Sequence, residues 1–483
     1  MSLDPEDWNE ARGLGRTMVD DLLTYLQTVR ERPVWRPVPA EVKARLAEPV
    51  PREGAPLDEV YEAFKRDILP YPTGNIHPRF WGWVMGTGTV GSVLADMLAA
   101  GMNPHMAGYD QAPAIVERQV LDWLKDLMGF PAEASGVLVS GGTEANINGL
   151  MSARVARCGW DIRQDGVAAG PPLTVYAGSE THNWIVKACE IMGMGRRAFR
   201  AIASDEQFRI DVAACRAQIV ADLAEGLRPF ALVGNAGTVG TGAVDDLVAL
   251  RALADEFGLW LHIDGAFGAL AAWAPQSRGL VAGMELADSL AFDLHKWGYL
   301  PYEVGVILTR DPEAQLAAYR PAGGPAYLRS SEGGISVDTT YFADRGLQLS
   351  RGFRALKVWM AMKELGADRL GAAIQANIDQ ARRLGGLVDA RADLERLAPV
   401  AMNIVCFRYA PEGYAGDLDA LNQQILTALQ ERGIAVPSQT VLHGRFAIRV
   451  CITNHRSRDE DFDLLVQAVA ELGAELRRPL SLP

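Results

Sequence analysis

Six short apolar runs, separated by helical stretches, lie between about residues 80 and 365. They constrain the fold of this chain more than any other feature. The runs are 136–139, 173–176, 230–233, 259–263, 289–292 and 304–308. Strands that alternate with helices favour a mostly parallel sheet covered by helices on both faces. The sequence therefore predicts an α/β fold whose ligands bind beyond the carboxyl ends of the strands.

Two further segments flank this region. Apolar residues recur at helical spacing over residues 8–30 and predict an amphipathic helix, which a proline-rich connector follows. A helix this short has little stability alone, so we expect it to pack on the main body or on another subunit. After a helical stretch over 351–384, the pattern predicts a small α+β lobe. We divide the chain into 1–80, an N-terminal helical segment; 81–365, a large domain; and 366–483, a small domain.

Composition narrows the functional class. At 483 residues, with 49% hydrophobic and 22% charged residues, the chain exceeds one ordinary core and is expected to be packed. A formal charge of -13 opposes binding to nucleic acid or to an anionic membrane surface. The five cysteines are widely spaced and form no CxxC pattern, so neither a disulfide framework nor a metal site is predicted. An acidic start and the lack of a long apolar run favour the cytoplasm.

A lysine and an aspartate follow two of the apolar runs. Lys296 lies just after the run 289–292. Asp264, 32 positions earlier, directly follows the run 259–263. A lysine at the end of an apolar strand is costly unless it is neutralised or covalently used, and an imine with an aldehyde cofactor does both. A buried carboxylate also needs a partner, either a protonated pyridine nitrogen or a nearby arginine. The pair predicts pyridoxal phosphate chemistry, in which Lys296 binds the aldehyde and Asp264 the ring nitrogen.

Other motifs after strands suggest the rest of a cofactor site. Residues 140–146, Ser-Gly-Gly-Thr-Glu-Ala-Asn, follow a strand and open a helix, which is typical of a phosphate site but also of an ordinary glycine turn. His182 could stack on a pyridine ring, or it could cap a helix. Thr238 could offer its hydroxyl to the cofactor's phenolic oxygen or to substrate, or it could be structural. His295, beside Lys296, could donate to the phosphate.

A second glycine pattern supports a different hypothesis. Residues 86–91 satisfy GxGxxG and precede a helical stretch, so a nucleotide site is the first alternative. The preceding residues, 80–84, are rich in aromatic side chains, and no βαβ unit surrounds them. We interpret this segment as a flexible glycine turn that lines a pocket.

Taken in order, the motifs at 140–146, 181–182, 262–266 and 287–297 resemble those of the group II pyridoxal phosphate-dependent decarboxylases. This family includes aromatic amino acid, histidine, glutamate and cysteine sulfinate decarboxylases. The similarity covers nearly the whole chain, because residues 16–26 resemble the family's swapped N-terminal helix and 350–359 its segment after the mobile loop. The resemblance implies a fold type I homodimer with its active site at the subunit interface.

The resemblance also implies roles for individual residues. Gly142 and Thr143 would hold phosphate, His182 would stack on the ring, and Ala266 would press its opposite face. Thr238 would contact the side of the cofactor ring that carries the phenolic oxygen. In the family, a tyrosine on the mobile loop protonates the substrate carbon, and Tyr341 is the best match.

The chain departs from the family pattern near the cofactor and the substrate. Aromatic decarboxylases usually carry asparagine three residues before the lysine, whereas this chain has Asp293. Aspartate at this position resembles the sphingosine phosphate lyase and archaeal tyrosine decarboxylase branches. The hydrophobic substrate wall corresponds here to His105 and Ala107. Arg449 aligns with an arginine that in glutamate decarboxylases meets a substrate carboxylate. Aromatic residues around 80–83, including Trp83, favour aromatic substrates, although ordinary packing would explain them too.

These observations predict an enzyme that converts an L-amino acid, with aromatic side chains favoured, into the amine and carbon dioxide. Two alternatives use the same cofactor: an aldehyde synthase, and an aldol-type lyase that Asp293 suggests. A cofactor-binding protein without turnover is the alternative from another class.

Overall fold

The computed structural model describes residues 3–321, 334–336 and 341–477. Five helices precede the first strand: α1 (Trp8–Gln27), α2 (Ala40–Arg45), α3 (Leu57–Asp67), α4 (Val90–Met102) and α5 (Ala112–Met128). The carboxylate of Asp7 caps α1 by accepting from the Asn9 amide, but no residue of α1 is buried. Among the described residues, no helix is long and apolar enough to cross a membrane.

A seven-stranded sheet forms the centre of the large domain. Its elements are β1 (Ser135–Val139), α6 (Gly142–Arg157), α7 (Ile162–Asp165), β2 (Leu173–Gly178), α8 (Trp184–Ile191), β3 (Phe199–Ile202), α9 (Val212–Ala224), β4 (Arg228–Asn235), α10 (Leu247–Phe257), β5 (Trp260–Asp264), β6 (Ser289–Asp293), β7 (Gly305–Thr309) and α11 (Pro312–Tyr319). The strand order is β1-β7-β6-β5-β4-β2-β3. β7 pairs antiparallel with β1 and with β6, and the other pairings in this sheet are parallel. The predicted α/β fold with a mostly parallel sheet is confirmed.

Burial explains why the apolar runs predicted these strands. Every residue of β1, β2, β5, β6 and β7 is buried, as expected for strands covered on both faces. The sequence analysis missed β3, which has four residues, includes an arginine and buries only its last residue. As an edge strand, β3 needs no continuous apolar run.

The small domain contains a four-stranded antiparallel sheet. Its elements are α12 (Ala355–Asp389), β8 (Leu394–Arg396), β9 (Ile404–Tyr409), α13 (Leu418–Glu431), β10 (Ser438–Leu442), β11 (Arg445–Cys451) and α14 (Asp459–Leu476). The strand order is β10-β11-β9-β8. The helix α12 connects the two sheets and leaves helical geometry at Gly366, where φ is 73°. The predicted α+β lobe is confirmed, whereas the three domain boundaries stay a prediction.

The register of the large sheet places three strand ends side by side. Asn235 at the end of β4 pairs with Asp264 at the end of β5, and Asp264 pairs with Ala291 of β6. Parallel strands present their carboxyl ends at one edge, so the loops after β4, β5 and β6 converge there. The candidate site lies at this edge.

Candidate active site

One cavity collects most of the predicted site residues. It is lined by Val84, Gly142, Thr143, Asn146, His182, Trp184, Asn235, Gly237, Val239, Asp264, Ala266, Phe267 and Lys296. A second opening on the side of the glycine loop shares four of these residues and adds Asp293 and His295. Residues from six separate segments therefore meet at the strand ends, as the sequence predicts.

Asp264 is held by two donors at the bottom of the cavity. The indole Nε1 of Trp184 donates to Oδ2 over 2.7 Å, and the backbone amide of Ala266 donates to Oδ1 over 3.1 Å. The side chain is almost fully buried. A fixed, buried anion of this kind fits the protonated nitrogen of a pyridine ring.

Lys296 forms an ion pair with Asp293 in this structure. Its Nζ lies 2.9 Å from Oδ2 of Asp293. Burial by itself lowers the pKa of Lys296, but nearby carboxylates, Asp293 first, outweigh it, so the pKa is raised. The sequence predicts that an imine offsets the free-energy cost of burying the lysine. In this structure the carboxylate of Asp293, three residues earlier, offsets that cost as well.

The glycine loop forms a narrow cradle at the start of α6. A Cβ on Gly142 would come within 2.7 Å of Oδ2 of Asp293, and one on Gly141 within 3.2 Å of Cε1 of His295. The first amides of a helix have no intrahelical acceptor and carry its positive dipole end. The free amides at the start of the helix therefore fit a phosphate, while the space directly over Gly142 holds the Asp293 carboxylate.

His295 points a donor toward the same loop. The Val304 amide donates to its Nδ1 over 3.0 Å. A neutral ring that accepts at Nδ1 carries its proton on Nε2, and burial keeps the ring neutral by lowering its pKa. The Nε2–H group is therefore available for a phosphate oxygen.

His182 lines both openings of the cavity. The Trp184 amide approaches its Nδ1 at 3.3 Å, which again leaves the proton of a neutral ring on Nε2. Burial lowers the pKa of His182, although Asp264 opposes this shift. The structure thus brings an uncharged, flat imidazole into the cavity that Asp264 and Lys296 also line.

A buried polar chain lies behind Asp264 that the sequence analysis missed. His262 contacts Oδ1 of Asn146 at 2.7 Å and the Ser289 hydroxyl at 2.8 Å. Burial lowers the pKa of His262 to about 4, so the ring is neutral. His262 and Asp264 lie two positions apart on β5 and so share a face, which was the available signal. Nothing in the sequence indicates that Trp184 donates to Asp264.

Two predicted residues have other partners. The Thr238 hydroxyl accepts from the Ala243 amide over 3.1 Å, so it braces its own loop. Arg449 is buried and donates from Nε to the Val239 carbonyl and from Nη1 to that of Trp83, both at 2.8 Å. In this structure Arg449 joins the small domain to two segments that flank the cavity.

Three more predicted residues lie outside the cavity lining. Trp83 is 53% exposed, whereas Trp81 packs in the small-domain core against Phe462. His105 is exposed, with its ring 6.0 Å from that of Tyr109. Tyr341 lies edge-on to the same Tyr109 ring, with centroids 6.2 Å apart. His105 and Tyr341 both pack against Tyr109, apart from the residues that line the cavity around Lys296.

The fold and the site together define a class. A mostly parallel sheet whose strand ends bring a lysine, a buried aspartate, an imidazole and a glycine-started helix into one cavity is that of a fold type I pyridoxal phosphate-dependent enzyme. The cofactor is pyridoxal 5'-phosphate, and the residues present fit its ring nitrogen, aldehyde and phosphate.

Comparison with known proteins identifies the family. The pyridoxal-dependent decarboxylase conserved domain matches residues 39–410, and the chain belongs to this family. An aromatic-L-amino-acid decarboxylase of Bacillus atrophaeus is 32% identical over 476 residues, which cover 97% of this chain and 96% of the relative. A phenylacetaldehyde synthase of Arabidopsis thaliana is 29% identical and covers 93% of each chain.

Solved structures agree with this assignment. The crystal structure of Oryza sativa TDC with PLP and tryptamine superposes with a TM-score of 0.90 at 25% identity, covering 99% of this chain and 100% of that one. The chain is a pyridoxal phosphate-dependent carboxy-lyase that acts on an amino acid. The predicted cofactor and reaction are confirmed.

Proposed function

We propose that this decarboxylase acts on an aromatic L-amino acid and works as a homodimer. The observation that carries the reaction is that Lys296, Asp264, His182 and Gly142 line one cavity. Apolar side chains of Val84, Val239 and Phe267 complete its wall. The aromatic-L-amino-acid decarboxylase relative supports the substrate class.

Each residue has a proposed role toward the cofactor and substrate. When bound, pyridoxal phosphate supplies an electron-poor ring that accepts the electron pair left as carbon dioxide departs. Asp264 keeps the ring nitrogen protonated, while the first amides of α6, with Gly142 and Thr143, and Nε2 of His295 hold the phosphate. His182 and Ala266 cover the two faces of the ring, and Lys296 binds the aldehyde. Asp293 lies beside the phosphate end.

The substrate contacts and the phenolic contact remain proposals. The Thr238 hydroxyl accepts from the Ala243 amide and can still donate its own proton to the phenolic oxygen of the cofactor. Trp83 and His105 lie at the surface, where a partner subunit would complete a substrate wall. A substrate carboxylate would need a free donor on Arg449. Its Nη2 could be that donor, because it has no hydrogen-bond partner among the described residues.

The proton that replaces carbon dioxide is proposed to come from Tyr341, or from His182 through water. The segment that precedes Tyr341 contains one other tyrosine, Tyr327, which lies outside the described residues. Tyr341→Phe and Tyr327→Phe form a matched pair. If Tyr341 is the donor, its variant alone should lower kcat by roughly 10²-fold or more while cofactor affinity stays unchanged.

The proposal of a homodimer is based on apolar side chains that are exposed in the single chain. The helix α1 buries no residue, and α3 and α4 expose Val60, Phe64, Met97, Leu98 and Met102. Such a surface is typical of a subunit interface. Light scattering should give twice the chain mass, and Phe64→Asp with Met97→Asp should shift it toward the monomer. A wild-type monomer would contradict the proposal.

The cytoplasm stays the predicted compartment. All five cysteines are buried thiols, which suits a reducing environment. Fractionation of cells that produce the protein tests this prediction, since recovery in the membrane or periplasmic fraction would contradict it.

One experiment separates the proposed reaction from its alternatives. The purified protein is incubated with a panel of L-amino acids, and carbon dioxide, amine, aldehyde and hydrogen peroxide are measured. Amine and carbon dioxide in equal amounts support the decarboxylase, aldehyde with peroxide the synthase suggested by the Arabidopsis relative, and a cleaved carbon chain the lyase. No turnover of any substrate would favour a cofactor-binding protein. Lys296→Ala should abolish the visible absorbance of the bound cofactor.

A further inference from the structure

The carboxylate of Asp293 occupies a narrow space between Lys296 and the glycine loop. Its side chain is 1% exposed, and Oδ2 lies 2.9 Å from Nζ of Lys296. A Cβ on Gly142 would come within 2.7 Å of Oδ2, and one on Gly305 within 2.8 Å of Oδ1. The absence of side chains at these glycines leaves the room that the carboxylate fills.

The surroundings of Asp293 offer its charge little other stabilisation. Over the ranges 3–321, 334–336 and 341–477, neither carboxylate oxygen accepts a well-aligned hydrogen bond. Nε2 of His295 lies 3.9 Å from Oδ2, and burial favours the neutral form of that ring. A buried carboxylate without hydrogen bonds is stable as an anion only beside a cation. Lys296 supplies that cation.

We propose that Asp293 is a positioning residue, the counter-ion that keeps the Lys296 amine protonated whenever the lysine carries no covalent bond. The inference rests on the proposed role of Lys296 as the cofactor-binding lysine. Asparagine at this position would fill the same space but could not balance the charge. The aspartate therefore decides how readily Lys296 acts as a nucleophile, because an ammonium group has no free electron pair.

Other titratable groups face Lys296 and need to be weighed. They are Asp264, Tyr302, His182, His295 and Cys451. Asp264 also favours the charged amine, but its effect on the pKa of Lys296 is smaller than that of Asp293. The pKa of Lys296 is raised although burial alone would lower it, and Asp293 is the largest opposing cause.

Cyanate labelling of the cofactor-free full chain tests the proposal directly. A neutral amine adds to isocyanic acid: its nitrogen bonds to the carbon, its proton moves to the isocyanate nitrogen, and nothing leaves. The rate of labelling at Lys296 is followed by mass spectrometry from about pH 6 to about pH 11.5, with the exposed Lys43 as internal reference. Asp293→Asn should raise the Lys296 rate at pH 7.5 about tenfold, since one unit of pKa is a factor of ten.

A matched control removes a different carboxylate from a different buried lysine. Asp96 lies 2.9 Å from Nζ of Lys357, and Asp96→Asn should leave the Lys296 profile unchanged. An unchanged Lys296 profile in a folded Asp293→Asn variant would overturn the proposal. If that variant does not fold, the wild type decides: a labelling midpoint for Lys296 above that of Lys43 supports the proposal, and one at or below it refutes it.

The proposed function has its own separate readout. Wild-type protein is mixed with pyridoxal phosphate and reduced with borohydride. If no label is found on Lys296, the cofactor role fails whatever cyanate shows. If the label is found but Asp293→Asn leaves the cyanate profile unchanged, only the counter-ion role fails.

Discussion

The indole Nε1 of Trp184 donates a 2.7 Å hydrogen bond to Oδ2 of Asp264, joining residues 80 positions apart. Trp184 starts α8 and Asp264 ends β5. The bond fixes the carboxylate at the bottom of the cavity, so that its orientation does not depend on the bound cofactor. Trp184 therefore keeps the carboxylate of Asp264 in a fixed orientation.

Trp184→Phe should weaken cofactor binding. A hydrogen bond to a charged group contributes about 1.5–3 kcal/mol, which corresponds to roughly ten- to a hundredfold in affinity. Titration of the visible absorbance measures it. Trp160→Phe is the control, because its indole donates to the Gly166 carbonyl far from the site. Unchanged affinity in Trp184→Phe would show that the Ala266 amide alone suffices.

Arg449→Met should lower stability as well as activity. The guanidinium satisfies buried carbonyls of Val239 and Trp83, and unsatisfied buried acceptors cost about 1–3 kcal/mol each. Urea unfolding at fixed protein concentration, without substrate, measures the loss. A variant with wild-type stability and a raised KM would instead indicate a direct contact with the substrate carboxylate.

The buried ion pair between Glu117 and Arg351 should be essential for stability. Both side chains are at most 1% exposed, and Arg351 also donates to the Met106 and Leu138 carbonyls. Removing one partner leaves a buried charge, so Glu117→Gln should cost about 3–5 kcal/mol. Glu256→Gln, which breaks an exposed pair with Arg216, should have little effect on the urea midpoint. Equal effects of the two substitutions would contradict this prediction.

Acid should destabilise the protein before its carboxylates titrate. Burial lowers the pKa of His77 and His262 to about 4 and that of His455 to about 3. In the unfolded chain the pKa of histidine is about 6.5, which is higher than these folded-state values. The stability that the neutral rings contribute is therefore complete above about pH 6.5 and is lost as the pH falls toward 4. Each histidine adds a slope of up to about 1.4 kcal/mol per pH unit.

Unfolding free energies between pH 5 and 6.5 test this slope. His77→Asn should reduce it by up to about 1.4 kcal/mol per pH unit, because asparagine can still accept from the Arg79 amide but does not titrate. A flat profile in the wild type would mean that the three rings are already protonated in the folded state.

Periodicity predicted most of the fold, and strand-end position predicted which residues meet in the cavity. The runs at 136–139, 230–233, 259–263 and 289–292 became buried strands, and Gly142, His182, Asp264 and Lys296 met at their ends. A short polar edge strand such as β3 carries no comparable signal. Arg449 and Thr238 were predicted to contact ligands, but in this structure both also form hydrogen bonds with neighbouring backbone, which nothing in the sequence indicates.

The sequence by itself determined that Lys296 and Asp264 lie at one edge of a parallel sheet, because chain direction and apolar run length are local properties that decide where strand ends lie. Only the tertiary structure decided what each side chain bonds to. Trp184 reaches Asp264, and Asp293 meets Lys296, through distances of a few ångströms between elements that are packed together in three dimensions. Hydrogen bonds and ion pairs depend on those distances, which no spacing of residues along the chain encodes.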